Sequence, residues 1–141
     1  MPKQKLIKIP INDLKIGDSA EICKKMTIEM VEKFSIISED FNPIHLDSVY
    51  AANSRYKKQI IHGMMASSLF SGLFGTTLPG EGCIYKSQDI RFKRAIYIGD
   101  IVTAKVEIVF INLDNKIITF KTICLVRDKI MIDGEAEIFI P

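Results

Sequence analysis

The sequence predicts an α+β domain in which an antiparallel sheet wraps around one long central helix. Two observations carry this. Residues 63–80 hold no charged side chain and close on Leu78-Pro79-Gly80, a run that stops a helix. After Gly82, apolar and polar residues alternate in long segments separated by short polar turns, the period of half-buried strands. No internal repeat or linker interrupts this order. At 141 residues the chain reads as one domain, 1–141, long enough to bury a core.

Residues 1–5 read as a loose polar end and 14–18 as a lead-in to a first strand, 19–24. Thr27 is placed as a helix N-cap, with Glu29 in the first turn where the helix dipole favours a carboxylate. Ile28, Val31, Phe34 and Ile37 then give an apolar face to a helix that ends over 38–40. Asp47 and Ser48 cap a short helix through Tyr50, Ala51 and Ala52. The long helix runs from Gly63 to about Leu78. Its Met64, Met65, Ala66, Leu69, Phe70, Leu73 and Phe74 occupy most sides, which predicts burial nearly all round. Four strands follow, over 83–92, 100–112, 116–127 and 130–140. In the second, Val102, Ala104, Val106, Ile108 and Phe110 share one face. Asp114-Asn115 and Asp128-Lys129 turn the chain, and Asp133-Gly134 taken alone suggests a further hairpin.

Composition narrows the function. Nineteen basic against seventeen acidic residues leave a net charge of +2, too little for the basic stripe of a nucleic-acid binder. A local patch for a phosphate-bearing ligand is compatible with it, from Lys57, Lys58, Lys86, Arg91, Lys93 and Arg94. Three cysteines, Cys23, Cys83 and Cys124, are odd in number and form no C-x-x-C, which points to a reducing cytoplasm. With only His45 and His62 present, the sequence predicts no His-rich metal cluster. The first residues carry no signal-peptide pattern, and 63–80 is too polar and too broken for a spanning helix, so no membrane association is expected.

The chemistry concentrates in residues 38–47, S-E-D-F-N-P-I-H-L-D. Pro43 fixes its own φ and drives Asn42 out of the α region, so the segment reads as a rigid polar loop, neither helix nor strand. Asp40 and His45, five residues apart, are a candidate acid/base pair with Asn42 between them. The competing reading is structural: Asp and Asn are also turn and cap residues. His62 reads as a packing or hydrogen-bonding residue at the helix start, and Asp100 after Gly99 as a turn residue.

Residues 38–52, with Tyr50-Ala51-Ala52 completing the motif, resemble the signature of the R-specific enoyl-CoA hydratases, the MaoC-like, hydratase-2 branch of the hot-dog fold. Ile60-Ile61-His62-Gly63-Met64 through Ser71-Gly72 resembles that family's central helix, and Phe92-Lys93 with Gly99-Asp100 the strand start after it. The likeness is closest to the short bacterial enzymes that supply R-3-hydroxyacyl-CoA for polyhydroxyalkanoate synthesis. It implies a hot-dog fold and reversible syn hydration of short-chain trans-2-enoyl-CoA. It also implies Asp40 as base, His45 as acid partner, Asn42 orienting the water, the Gly63 N–H as thioester-oxygen donor and Ser71 in the substrate site. The enzyme would be a homodimeric hydro-lyase with no metal and no cofactor, CoA being carried by the substrate. It further implies that the strand runs through Asp133-Gly134, as a bulge. Two departures stand out: Glu39 where many members have glycine, although the short bacterial enzymes share the glutamate, and Ala95 where proline is common. Alternatives on the same fold are a 3-hydroxyacyl-acyl-carrier-protein dehydratase, a thioesterase, or a non-catalytic acyl-CoA-binding domain. The Asp-x-Asn-Pro-x-His loop disfavours the last two.

Overall fold

The computed structural model describes residues 1 and 5–141; the expectation for residues 2–4 lies outside them. After a 3-10 turn at Ile11–Asp13 come β1 (Ser19–Lys25), α1 (Ile28–Ser38), α2 (Pro43–Leu46), α3 (Ser48–Ala52) and α4 (Gly63–Thr76). The chain then forms β2 (Ile84–Gln88), β3 (Arg91–Phe92), β4 (Ile101–Asn112), β5 (Ile117–Val126) and β6 (Lys129–Phe139). The six strands make one antiparallel sheet in the order β1-β4-β5-β6-β2, with β3 also paired to β6.

One face of that sheet is the core. Val102, Ala104, Val106 and Ile108 of β4 and Ile118, Phe120, Cys124 and Val126 of β5 are buried against Met65, Ala66, Phe70 and Phe74 of α4. Phe74 and Phe120 meet edge to face with centroids 4.7 Å apart, a favoured aromatic geometry. The helix starts follow their caps. Thr27 Oγ1 accepts from the Met30 N–H, and Asp47 Oδ1 from the N–H groups of Val49 and Tyr50.

Several details depart from the sequence reading, each for a local reason. On α1 the buried residues are Val31 and Ser35, while Ile37 is 80% exposed. A strict three-residue spacing lags the helix, and nine residues turn it through about 900°, so Ile37 points away from Ile28. Residues 43–46 are a helical turn rather than a loop. Asn42 is its N-cap (φ −55°, ψ 123°) and Pro43 its first residue, where proline's fixed φ suits a helix start. The long helix stops at Thr76, and Ser68, Ser71, Gly72 and Gly75 lie on an exposed, uncharged face rather than being buried all round.

In β4 a bulge between Ile108 and Phe110 reverses the alternation, which leaves Phe110 56% exposed. Residues 83–92 form two strands, not one. At Asp133-Gly134 the β5–β6 pairing is regular, and the irregularity of that ladder lies between Cys124 and Leu125. It is the neighbouring chain between β2 and β3 that leaves its strand, bringing the Asp89 carbonyl onto Gly134.

Gly134 is therefore required for close approach. A Cβ there would lie 1.9 Å from Asp89 O. Gly134→Ala is expected to destabilise the protein by about 1–3 kcal/mol, the range for forced overpacking, measured as a lowered urea midpoint. An unchanged midpoint would show that the β2–β3 connection is free to move.

Candidate active site

Three segments converge on one cavity of about 900 Å³: the end of α1 with the turn that follows, residues 55–64, and residues 92–97. Asp40, His45, His62 and Gly63 all line it. The sequence rules that shape the turn also aim its side chains. Glu39 ends α1 in the left-handed region at φ 61°, a conformation glycine adopts more easily. Asp40 Oδ1 then accepts the Asn42 N–H at 3.1 Å, leaving Oδ2 to face the cavity.

His45 rides on α2 and is buried. Its Nδ1 lies 2.7 Å from the Ile60 carbonyl, which can only accept, so Nδ1 carries a proton. Nε2 is thereby the nitrogen left for chemistry, and it sits 3.9 Å from Asp40 Oδ2. Two hydrogen bonds of about 2.8 Å meeting at roughly 90° span about 4 Å, so one water can touch both groups. The Asp40 side chain is 47% exposed, so the pair joins a solvated carboxylate to a buried imidazole.

Gly63 is the first residue of α4, and His62, its N-cap, makes no side-chain capping bond. The first N–H groups of a helix lack intrahelical partners, and here the first two residues of α4, Gly63 and Met64, line the cavity. The Phe92 ring lies directly against Gly63, where an added Cβ would fall 2.5 Å from it.

Asn42 and Ser71 are not among the cavity's lining residues. Asn42 Oδ1 is engaged by the Ile44 N–H at 3.3 Å as the α2 cap. Ser71 sits on the exposed face of α4. Of the candidate cations, Lys93 and Arg94 line the cavity, with Lys93 paired to Asp133 at 2.9 Å and Arg94 donating to the Ile130 carbonyl. Arg55, Tyr56 and the Ile60 carbonyl also shape it, and sequence reasoning missed them. Ile60 contributes only a main-chain oxygen, which no side-chain pattern announces. Arg55 had a usable signal, being a cation close to the motif.

Two histidines and a carboxylate do meet here, with donor atoms within 4.8 Å of one another, a mixed group that the histidine count, which argued only against a His-rich cluster, did not address. Their protonation limits them as a metal site. His62 Nε2 lies 3.2 Å from the Asp40 carbonyl and must carry a proton to bond it. Only His45 Nε2 and the carboxylate then present free lone pairs, short of the three protein ligands typical of such sites.

A long helix packed on an antiparallel sheet, with Asp40 and His45 beside the helix N-terminus, defines a hot-dog domain. The MaoC like domain family matches residues 15–133. The chain is 40% identical over 129 residues to an (R)-specific enoyl-CoA hydratase of Aeromonas caviae, covering 91% of this chain and 96% of that one. A second such hydratase, from Rhodospirillum rubrum, is 39% identical, with 92% and 90% covered. Among solved structures, the A. caviae (R)-hydratase involved in PHA biosynthesis superposes with a TM-score of 0.89 over 91% of this chain and 98% of that one, at 40% identity. An R-hydratase from Pseudomonas aeruginosa superposes with 0.91 over 96% and 88%, at 34% identity. The chain belongs to the MaoC-like domain family.

Burial lowers the pKa of His62 below its ordinary 6.5, and repulsion from His45 adds to this. The bond to the Asp40 carbonyl and the Asp40 charge oppose it without overcoming burial. The folded protein thus binds this proton less readily than the unfolded chain, so the contribution is present above about pH 6.5 and is lost as pH falls toward the folded value. Urea midpoints are expected to drop between pH 7.5 and 5.5, and His62→Gln should shrink that drop. An equal drop in the variant would assign the effect to other groups.

Proposed function

We propose that this protein is an R-specific enoyl-CoA hydratase, a hydro-lyase that reversibly adds water across short-chain trans-2-enoyl-CoA to give R-3-hydroxyacyl-CoA. The observation that carries the reading is the 3.9 Å separation of Asp40 Oδ2 and His45 Nε2 within the cavity that Gly63 also lines. Identity of about 40% to enzymes named for this reaction supports it.

Conjugate hydration needs a base for water, a proton for C2, and donors for the charge that develops on the thioester oxygen. Asp40 takes a proton as the water oxygen bonds to C3. That proton passes to the His45 Nε2 lone pair, and the imidazolium so formed delivers it to C2 on the same face. Asp40 and His45 thereby return to their starting forms. The Gly63 N–H stabilises the enolate-like oxygen, helped by the helix dipole. Asn42 acts by holding Asp40 Oδ1 through its own N–H and by capping α2, which bears His45.

The reaction requires no metal or cofactor; CoA is the substrate's handle. Arg55, which makes no ion pair among the described residues, and Arg94 suit its phosphates. The working form is a homodimer. The uncharged outer face of α4, with Ser71, runs near the sheet-edge strand β2, where Ile84 and Tyr85 are exposed. The three cysteines are free thiols, and no helix among the described residues is long and apolar enough to cross a membrane. Both fit a cytoplasmic enzyme.

Asp40→Asn is expected to remain folded and to lose about 10³-fold or more in kcat, followed as disappearance of the enoyl absorbance of crotonyl-CoA. Hydration at near wild-type rate would remove Asp40 from the role of base.

A further inference from the structure

His62 stands one residue before the thioester-oxygen donor and has no part in the mechanism above. Its ring is 3% exposed. Because the Asp40 carbonyl can only accept, the proton sits on Nε2, and Ser35 Oγ, also 3.2 Å from that nitrogen, is a second acceptor. Nδ1 is then the lone-pair nitrogen, and it is buried with no hydrogen-bond partner among the described residues. An apolar side chain of similar size would fill this space without an orphaned nitrogen, so packing alone does not account for a histidine here. What the ring supplies is a single N–H that reaches two different segments.

We propose that His62 is a positioning residue that fixes the distance between base and donor. Its ring ties the Asp40 main chain to Ser35 of α1, while its own backbone caps α4 immediately before Gly63. The same ring lies against His45, with centroids 3.9 Å apart and planes 32° from parallel, so it also limits the tilt of the acid. Base, acid and donor come from three separate elements, and His62 touches all three. This role rests on the hydratase reading.

Without the tie, Asp40 can swing relative to the bound thioester. A misplacement of about 1 Å is enough to cost roughly 10²-fold in rate. Arg55 and Arg94, proposed for the CoA phosphates, make no contact with His62 in the hydrogen bonds that tie it, so the loss falls on kcat rather than KM.

The test compares wild type, His62→Leu, His62→Gln, His62→Asn and Ser35→Ala on crotonyl-CoA, with thermal melts confirming folding. His62→Leu is expected to lose about 100-fold in kcat with KM within about threefold. Glutamine places an amide N–H near the position of Nε2 and is expected to recover activity to within about tenfold of wild type. Asparagine falls short of Asp40 and should not. Ser35→Ala, which leaves the bond to Asp40, should lose less than about threefold. Folded His62→Leu with wild-type kcat, a loss confined to KM, or Gln and Asn equally impaired would each overturn the proposal. If the Leu variant does not fold, the Gln and Asn pair decides. Wild-type protein inert toward enoyl-CoA substrates would remove the hydratase reading and this role with it. An active wild type with an unaffected His62→Leu would remove this role alone.

Discussion

The bond from the His45 ring to the Ile60 carbonyl, 2.7 Å long, is the contact on which the site depends. It fixes which nitrogen is protonated and turns the other toward Asp40. It also joins two parts of the chain that sequence keeps apart. The Ile60 N–H lies 3.3 Å from the Ile44 carbonyl, and Gln59 Nε2 donates to the His45 carbonyl at 2.8 Å, so α2 is laced to residues 59–60 at three points. The Ile61 N–H continues to the Ile96 carbonyl at 2.8 Å, and two residues later α4 begins. Small shifts of the 59–61 segment would therefore move His45 and the start of α4 together. A partly buried bond of this kind is well suited to hold catalytic geometry, since water competes for it weakly.

Asp40 and His45 are set in the fold differently. Asp40 is half exposed, with one oxygen bound to the Asn42 N–H, so its charge remains solvated and its free oxygen is oriented. His45 is buried and orients through a carbonyl rather than a carboxylate. A carbonyl fixes the tautomer without adding a second negative charge beside Asp40. Phe92 against Gly63 and Phe34 beside His62 supply apolar walls, and in a low-dielectric site the donors at the α4 N-terminus act more strongly than they would in water.

Much of this was legible in the residues, and the exceptions share a cause. Thr27 and Asp47 cap the helices expected of them because capping is a local interaction within three residues. Alternation in β4 and β5 identifies the buried side chains from Val102 to Ile108 and from Ile118 to Val126. Alternation fails at Phe110, where one extra residue in the ladder reverses the pattern and depends on the partner strand. Asp40 and His45, which meet at 3.9 Å, were visible as residue types in a short motif. Its helical setting was also there to be read, since Asn42-Pro43 is a helix start as well as a turn. The outward position of Ser71 and the ties to Ile60 and Ser35 were not legible, because they are set by contacts tens of residues away.

The central claim is that one water, held between Asp40 and His45, gives hydroxyl and proton to the same face of the double bond. Hydration of crotonyl-CoA in deuterium oxide, followed by chiral and NMR analysis of the 3-hydroxybutyryl-CoA formed, tests it most directly. The account predicts the 3R alcohol with a single deuterium at C2 added syn. An S product, anti addition, or release of free thiol in place of hydration would contradict it.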